Sequence, residues 1–246
     1  MATFLNPTVL SSHYPINLGL TLNSGQSFRW IRKSQMFEGV LGDSMVCLCN
    51  KGDSIEVLSS EPDNERALKN LRSYFRLDDR WEEIVEAVGK DMRVADALMK
   101  YQGLRLLKQD PWETLIAFVT SAVSSIAKVS YCLEGLCQQF GSRLSLGASV
   151  RYSFPIPYEL ARASERELRS VGLGFRAKYV KEIAAYVSDN EIDLGLLKVL
   201  SYDKAKQWLM ELPGVGPKVA DCVLLYSLDK LEAFPVDRWI ERVLKN

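Results

Sequence analysis

The sequence is poor in the groups that most often hold a metal or a redox centre. Among 246 residues there is one histidine, His13. The five cysteines, Cys47, Cys49, Cys132, Cys137 and Cys222, form neither a CxxC pair nor a Cys/His zinc pattern. Reduced thiols in an intracellular protein are therefore expected, with no metal and no cofactor. Excess charge is equally absent, since Lys+Arg and Asp+Glu both total 31. Without a global positive field, a polyanion must be gripped by a local arrangement of charge and amide donors, which weighs against histone-like coating. No apolar run approaches membrane-spanning length, and the opening MATFLNPTVLSSHYPINLGL lacks a charged segment followed by an unbroken apolar one. An unexported protein with no membrane partner is the expectation. Low-complexity linkers and repeat arrays are missing too, so the chain has the length for one large domain or two modest ones.

Two kinds of pattern fill it. Up to about residue 60, the stretches SFRWI, MFEGVLG, SMVCLCN and SIEVLSS are short, aromatic or β-branched, and separated by Gly, Asp and Ser turns, as antiparallel hairpins require. From about Pro62, NERALKNLRSYF and MRVADALMKYQ space their apolar residues three and four apart, and the rest reads as helical. Start signals are explicit: Asp110, Pro111 and Glu113 open one helix, and Ser164 with Glu167 forms a capping box for another. Gly141 and Gly214 stand where helices stop. The fold class expected is α+β, with an N-terminal antiparallel-sheet domain (residues 1–105) packed on a mainly helical domain (106–246).

The most informative stretch is LPGVGPKVADCVLLYSLDKLEAFPVDRW, from Leu212 to Trp239. One amphipathic helix ends at a Gly214-Val215-Gly216 hairpin and another begins at once with Pro217 in its first turn. Glycines let the backbone approach another surface closely, and the amides of the new helix, backed by its dipole, suit a phosphate. A contact of that kind positions a protein on DNA without reading sequence. Lys218 then sits where a cation opposes the helix dipole, a placement that favours the neutral, nucleophilic amine. Further on, Pro235 holds Phe234 extended, and Asp237 occupies an N-cap position before RWIERVL. That carboxylate either serves as a plain cap or also stabilises positive charge on a sugar. Cys222 lies one turn after Lys218, so it either lines the same pocket or fills the core.

Together the hairpin LPGVGPKVAD and the following PVD resemble the helix-hairpin-helix glycosylase superfamily. SGQSFRW, YFRLD, YQGLRLLKQDPWE and GLGFRAKYV, in that order, resemble 8-oxoguanine DNA glycosylase across most of the chain. The resemblance implies a bifunctional base-excision enzyme that flips 8-oxoguanine from duplex DNA. In it, Lys218 would attack the anomeric carbon, expel the base, form a Schiff base and allow β-elimination; Asp237 would stabilise the developing oxocarbenium charge. Gly25 would offer its carbonyl to the N7 hydrogen that only the lesion carries, with Phe28 on the pocket wall. Phe175 matches an aromatic wedge, and Arg176 a residue that contacts the orphaned cytosine. A monomer working wherever the DNA is kept, nucleus or nucleoid, is implied.

The sequence also departs from that family. Val123 and Ser124 replace asparagines and Lys128 replaces an arginine, which keeps the charge but loses the bidentate fork, so relaxed selectivity for the opposite base is expected. Trp239 stands where the family has a phosphate-contacting histidine. Relatives continue past the point where this sequence stops, at Asn246, so either the far side of the pocket is closed differently or the sequence is a segment. Two alternatives remain: a glycosylase for another damaged base, against which Gly25 argues, and a non-catalytic helix-hairpin-helix DNA-binding protein, against which Lys218 and Asp237 argue.

Overall fold

The computed structural model describes residues 7–245, leaving aside the side chains of Arg238 and Leu244. Met1–Asn6, whose sequence was read above for an export signal, lies outside the described residues, as does Asn246. The chain divides into two compact units: one runs to Leu107 and takes in Arg143–Ser153, and the other comprises Lys108–Ser142 and everything from Phe154.

The first unit is built on alternation. Strands β1 (Thr8–Ser11), β2 (Ile31–Lys33), β3 (Met36–Leu41), β4 (Ser44–Lys51) and β5 (Ser54–Ser59) form an antiparallel sheet in the order β1-β5-β4-β3-β2. In β4 the run Met45–Leu48 is buried throughout, so the sheet is covered on both faces there. Val46 and Leu48 join Leu10, Leu18, Phe37, Val57, Leu71, Phe75 and Leu107 in the larger core. Two of these come from α1 (Leu18–Leu22) and α2 (Asn64–Tyr74), and Phe75 follows α2 directly; α2 is capped by Asp63, whose carboxylate accepts the Glu65 and Arg66 amides. Next come α3 (Trp81–Val88) and α4 (Met92–Lys100), amphipathic helices with no fully buried residue. Trp30 lies across β3 at Gly39, where any Cβ would meet the indole at 2.5 Å.

Met45 and Cys47 point to the other face, into a smaller core with Val40 and Leu146. Leu146 belongs to a hairpin that the sequence reading assigned to helix: β6 (Arg143–Leu146) and β7 (Ser149–Tyr152), turning at Gly147 with φ +59°. The second half is mainly helical, as expected, and this hairpin corrects the reading of the whole stretch after Pro62 as helical. The hairpin groups with the sheet because its Arg151, 5% exposed, reaches the Glu38 carboxylate at 3.6 Å and the Arg29 carbonyl at 3.0 Å.

The second unit is helical. It contains α5 (Pro111–Thr120), α6 (Ile126–Phe140), α7 (Pro157–Arg162), α8 (Glu165–Leu168), α9 (Arg176–Asp189), α10 (Tyr202–Met210), α11 (Pro217–Ser227) and α12 (Arg238–Leu244). Helix α5 is apolar all round, buried from Thr114 to Thr120, and packs on α6, α9 and α11, as a central helix must. Its start is as expected, Asp110 accepting the Glu113 amide at 2.8 Å with Pro111 in the first turn. Ser164 and Glu167 form the complete reciprocal capping box on α8. Gly141 caps α6, whereas α10 already stops at Met210, which leaves Gly214 to the turn beyond it. Among the described residues no helix is long and apolar enough to cross a membrane.

Glu38 gives the first unit a specific acid response. Burial by itself raises its pKa, but hydrogen bonds from Lys33 and Ser149 and the charges of Lys33 and Arg151 outweigh this and hold it below the ordinary value of 4.5. A lowered folded pKa contributes stability above the unfolded value that is lost as pH falls through the folded one. In acid titrations from about pH 4.5 downward, Glu38→Gln should therefore show a flatter loss of stability than the wild type, measured by circular dichroism.

Candidate active site

Helices α10 and α11 form the hairpin that the sequence announces. The chain leaves α10 and turns at Gly214, φ +77°, where a Cβ would stand 2.6 Å from the Tyr179 ring. Both features demand glycine. Val215 is 6% exposed and donates its amide to the Leu212 carbonyl at 3.1 Å, so it anchors the turn from inside. Gly214 is exposed and Gly216 half-buried. Gly216 is the N-cap of α11, with Pro217 following and no side chain capping the first amides.

The roll of α11 is set by a polar cluster. Asp221, 5% exposed, accepts a hydrogen bond from the Tyr202 hydroxyl at 2.7 Å and from the Lys206 amine at 2.9 Å, and that amine also donates to Tyr202 at 2.7 Å. Burial pushes the Lys206 pKa down, yet the Tyr202 and Asp221 hydrogen bonds and charges overcome it and hold it above its usual value. A buried carboxylate so gripped fixes α10 against α11, since breaking such a pair leaves an uncompensated charge.

With α11 fixed, Lys218, Cys222 and Tyr226 fall at successive i, i+4 positions on one face. The half-buried Lys218 amine lies over the Phe118 ring, 4.8 Å from its centroid. Phe118 in turn stacks on Tyr226 at 5.5 Å and 15°. The Cys222 thiol is pushed up to about 11, first by burial; a hydrogen bond with Lys218 and its charge work the other way, while the charges of Asp221 and Asp237 add to the rise. The Tyr226 hydroxyl is pushed up to about 12 by burial, again with Cys222 and Asp237 contributing. The charges of Lys218, Asp221 and Asp237 thus all bear on one thiol. Asp237 is half-buried at the start of α12 and accepts the Trp239 and Ile240 amides, each at 2.9 Å. Trp239 itself is 71% exposed.

The remaining candidates of this unit gather elsewhere on it. Phe175 is 54% exposed, directly after the positive-φ glycines Gly172 and Gly174, and packs edge-on to Tyr179 at 6.3 Å. Tyr179 therefore touches both the aromatic turn and the hairpin turn. Lys128 is exposed, with its amine over Tyr131 at 4.8 Å and closely packed on Gly172. Arg176, expected from the family resemblance to reach an orphaned base, is 9% exposed and donates to the Ala122, Val123 and Leu173 carbonyls. As placed, its guanidinium addresses the protein's own backbone. In the first unit, Gly25 has φ +86°, and the loop around it is pinned by Gln26, whose side chain bonds the Arg105 carbonyl and the Leu107 amide, each at 2.8 Å; Phe28 is half-buried. Phe118 and Tyr226 escaped the sequence reading, although Tyr226 continues the spacing of Lys218 and Cys222. No group of three or more His, Cys, Asp or Glu able to hold a metal occurs among the described residues.

The sheet unit, the hairpin and the lysine with its carboxylate define the class of base-excision helix-hairpin-helix proteins. Residues 116–246 match the HhH-GPD superfamily of base excision DNA repair proteins, and residues 8–115 match the 8-oxoguanine DNA glycosylase N-terminal domain. The chain belongs to the 8-oxoguanine DNA glycosylase family of that superfamily. It is 34% identical over 252 residues to the N-glycosylase/DNA lyase of Saccharomyces cerevisiae, covering 93% of this chain and 67% of that protein. An N-glycosylase/DNA lyase of Arabidopsis thaliana is 32% identical over 249 residues, covering 96% of this chain and 67% of that one. The chain thus spans about two thirds of each. The Clostridium acetobutylicum 8-oxoguanine glycosylase/lyase, solved with double-stranded DNA containing cytosine opposite 8-oxoguanine, superposes with a TM-score of 0.91 at 28% identity, covering 99% of this chain and 86% of that one.

Two outcomes are expected. Lys206→Met should destabilise the protein by about 2–4 kcal/mol in urea unfolding, because it strands the Asp221 carboxylate, and the double variant Lys206→Met/Asp221→Leu should recover much of the loss. Cys222, whose raised pKa adds stability below the unfolded thiol value of 9.0 that fades as pH climbs toward about 11, should resist iodoacetamide at pH 8 until urea unfolds the chain.

Proposed function

We propose that the protein excises 8-oxoguanine from duplex DNA and nicks the resulting abasic site, with Lys218 as nucleophile. The observation that carries this reading is that the half-buried Lys218 amine lies 4.8 Å from the centroid of the Phe118 ring, on the α11 face it shares with Cys222 and Tyr226, in a unit whose residues match the HhH-GPD superfamily. The charge of Asp237, at the start of α12, reaches Cys222 and Tyr226 on that face. The family and the DNA-bound Clostridium acetobutylicum relative support duplex DNA as the partner.

In the proposed reaction the neutral Lys218 amine attacks C1′ of a nucleotide extruded from the stack, the C1′–N9 bond breaks, and the base leaves with the electron pair. Asp237 would stabilise the cationic sugar with its charge. Opening of the sugar ring gives an imine on Lys218, from which loss of a C2′ proton expels the 3′ phosphate. The hairpin and the first amides of α11 would hold a backbone phosphate. In the first unit, the Gly25 carbonyl would accept from N7–H of 8-oxoguanine and repel the N7 lone pair of guanine. Since Lys128 lacks the arginine fork and Val123 and Ser124 lack amide side chains, discrimination of the opposite base is weak. The protein acts as a monomer, wherever the DNA is kept.

Borohydride trapping on a duplex with one 8-oxoguanine tests the chemistry. A covalent adduct is expected from the wild type and none from Lys218→Gln. Asp237→Asn keeps a good helix cap, so the variant should fold and bind DNA nearly as well while base release slows by about a hundredfold or more, a loss confined to the transition state. Binding without either adduct or base release would leave only a phosphate clamp.

A further inference from the structure

On the face of the β3–β4 pair that carries the smaller core, three sulfur atoms gather. Met36 Sδ and Cys47 Sγ stand 3.9 Å apart. The ladder register sets Met36 directly across from Cys49, and Glu38 directly across from Cys47. Side chains so paired start about 5 Å apart at Cβ. Cys47 and Cys49, two residues apart on one strand, share that face. The group opens toward solvent, with Cys47 8% exposed, Cys49 half-buried and Met36 40% exposed. Lys33 and Glu38, paired with each other at 2.9 Å, both act on the Cys47 thiol. Burial, with the Glu38 charge adding to it, holds that thiol above its ordinary value, which disqualifies it as a nucleophile. Cys49 gives its hydrogen to the Asn50 carbonyl at 3.6 Å, a weak bond that a better partner would displace.

We infer that Met36, Cys47 and Cys49 form a binding site for a soft monovalent cation of the Cu(I) class. Thiolates and thioethers are the ligands such an ion selects. With metal–sulfur bonds of about 2.3 Å, three sulfurs around one ion lie about 4 Å from one another. The Met36–Cys47 pair already has that spacing. Cys49 completes the triangle by turning its Sγ away from the Asn50 carbonyl. Binding releases one proton from each thiol to solvent and leaves the oxidation state of the ion unchanged. Two thiolates and one monovalent cation carry a single negative charge, which the Lys33 ammonium offsets. Zn(II), which takes four nitrogen, oxygen or thiolate ligands, is poorly served by a thioether. No spacing in the sequence announces this site, because it is strand pairing that brings the methionine to the cysteines. It lies wholly in the first unit and is independent of the base-excision reading.

The test titrates the full chain with Cu(I) under argon against bicinchoninate as competing chelator. The wild type should withdraw one equivalent, and X-ray absorption at the copper edge should show three sulfur neighbours. Met36→Leu conserves volume, so it should melt as the wild type does, yet lose one sulfur neighbour and roughly tenfold in affinity. Cys49→Ser, at a half-buried position, should also fold and should lose roughly a hundredfold. Ag(I), a redox-inert probe of the same class, should shield Cys49 from iodoacetamide in the folded wild type and fail to do so in Met36→Leu. A wild type that leaves all the copper with the chelator overturns the proposal. So does undiminished binding in Cys49→Ser, which would move the ion to the buried thiols of Cys132, Cys137 or Cys222, or displacement of Cu(I) by equimolar Zn(II).

Discussion

The grip of Tyr202 and Lys206 on the buried carboxylate of Asp221 is the constraint on which the helical unit's site depends. Lys218, Cys222 and Tyr226 share a face of α11, and a helix that rolled by one residue would carry all three away from Phe118 and Asp237. Apolar packing alone would tolerate small slips of α11 over α5, because it is non-directional. Two short hydrogen bonds to a buried charge do not tolerate them. A polar cluster in an otherwise apolar interface therefore converts a generic helix pair into one with a single register.

That register creates an uneven environment for charge. Burial makes the Cys222 thiol and the Tyr226 hydroxyl harder to ionise, so both enter the site as neutral, polarisable surface. Around that thiol lie the Lys218 amine and the side chains of Asp221 and Asp237. The aromatic ring of Phe118 under the amine offers a surface that tolerates a cation without supplying a counter-ion, while Asp237 has its oxygen committed to the first amides of α12. Holding the carboxylate in one rotamer through a cap is a cheap way to position it, because the same hydrogen bonds also start the helix that carries Trp239.

Much of this was legible in the sequence. The change from period two to spacing by three and four, the caps at Asp110 and Ser164, the glycine turn and Asp237 ahead of its helix are all local signals, and local signals survive into the fold. The β6–β7 hairpin was missed because RLSLGASVRY is brief and lies in a helical context, and what recruits it is a distant buried ion pair between Arg151 and Glu38 that no window of sequence contains. Phe118 and Tyr226 were passed over because an aromatic in an apolar helix reads as core until a neighbouring charge is known. Arg176 was expected to contact an orphaned base, and only the fold shows carbonyls of the α5–α6 loop converging on it. Gly25 and Gly214 were recognisable as turn formers, but the need for glycine at Gly214 comes from Tyr179, thirty-five positions earlier in the chain.

Tyr179 leaves the molecule with a mechanical property of its own. Its ring stands against the hairpin turn at Gly214 and lies at right angles to Phe175, so two exposed turns on separate elements are braced against a single rigid plate. Their spacing is then set by the width of a phenol, which neither stretches nor bends. Any ligand laid across this surface would meet two fixed points in place of two independent feelers, and a match at one point would predetermine what lies beneath the other.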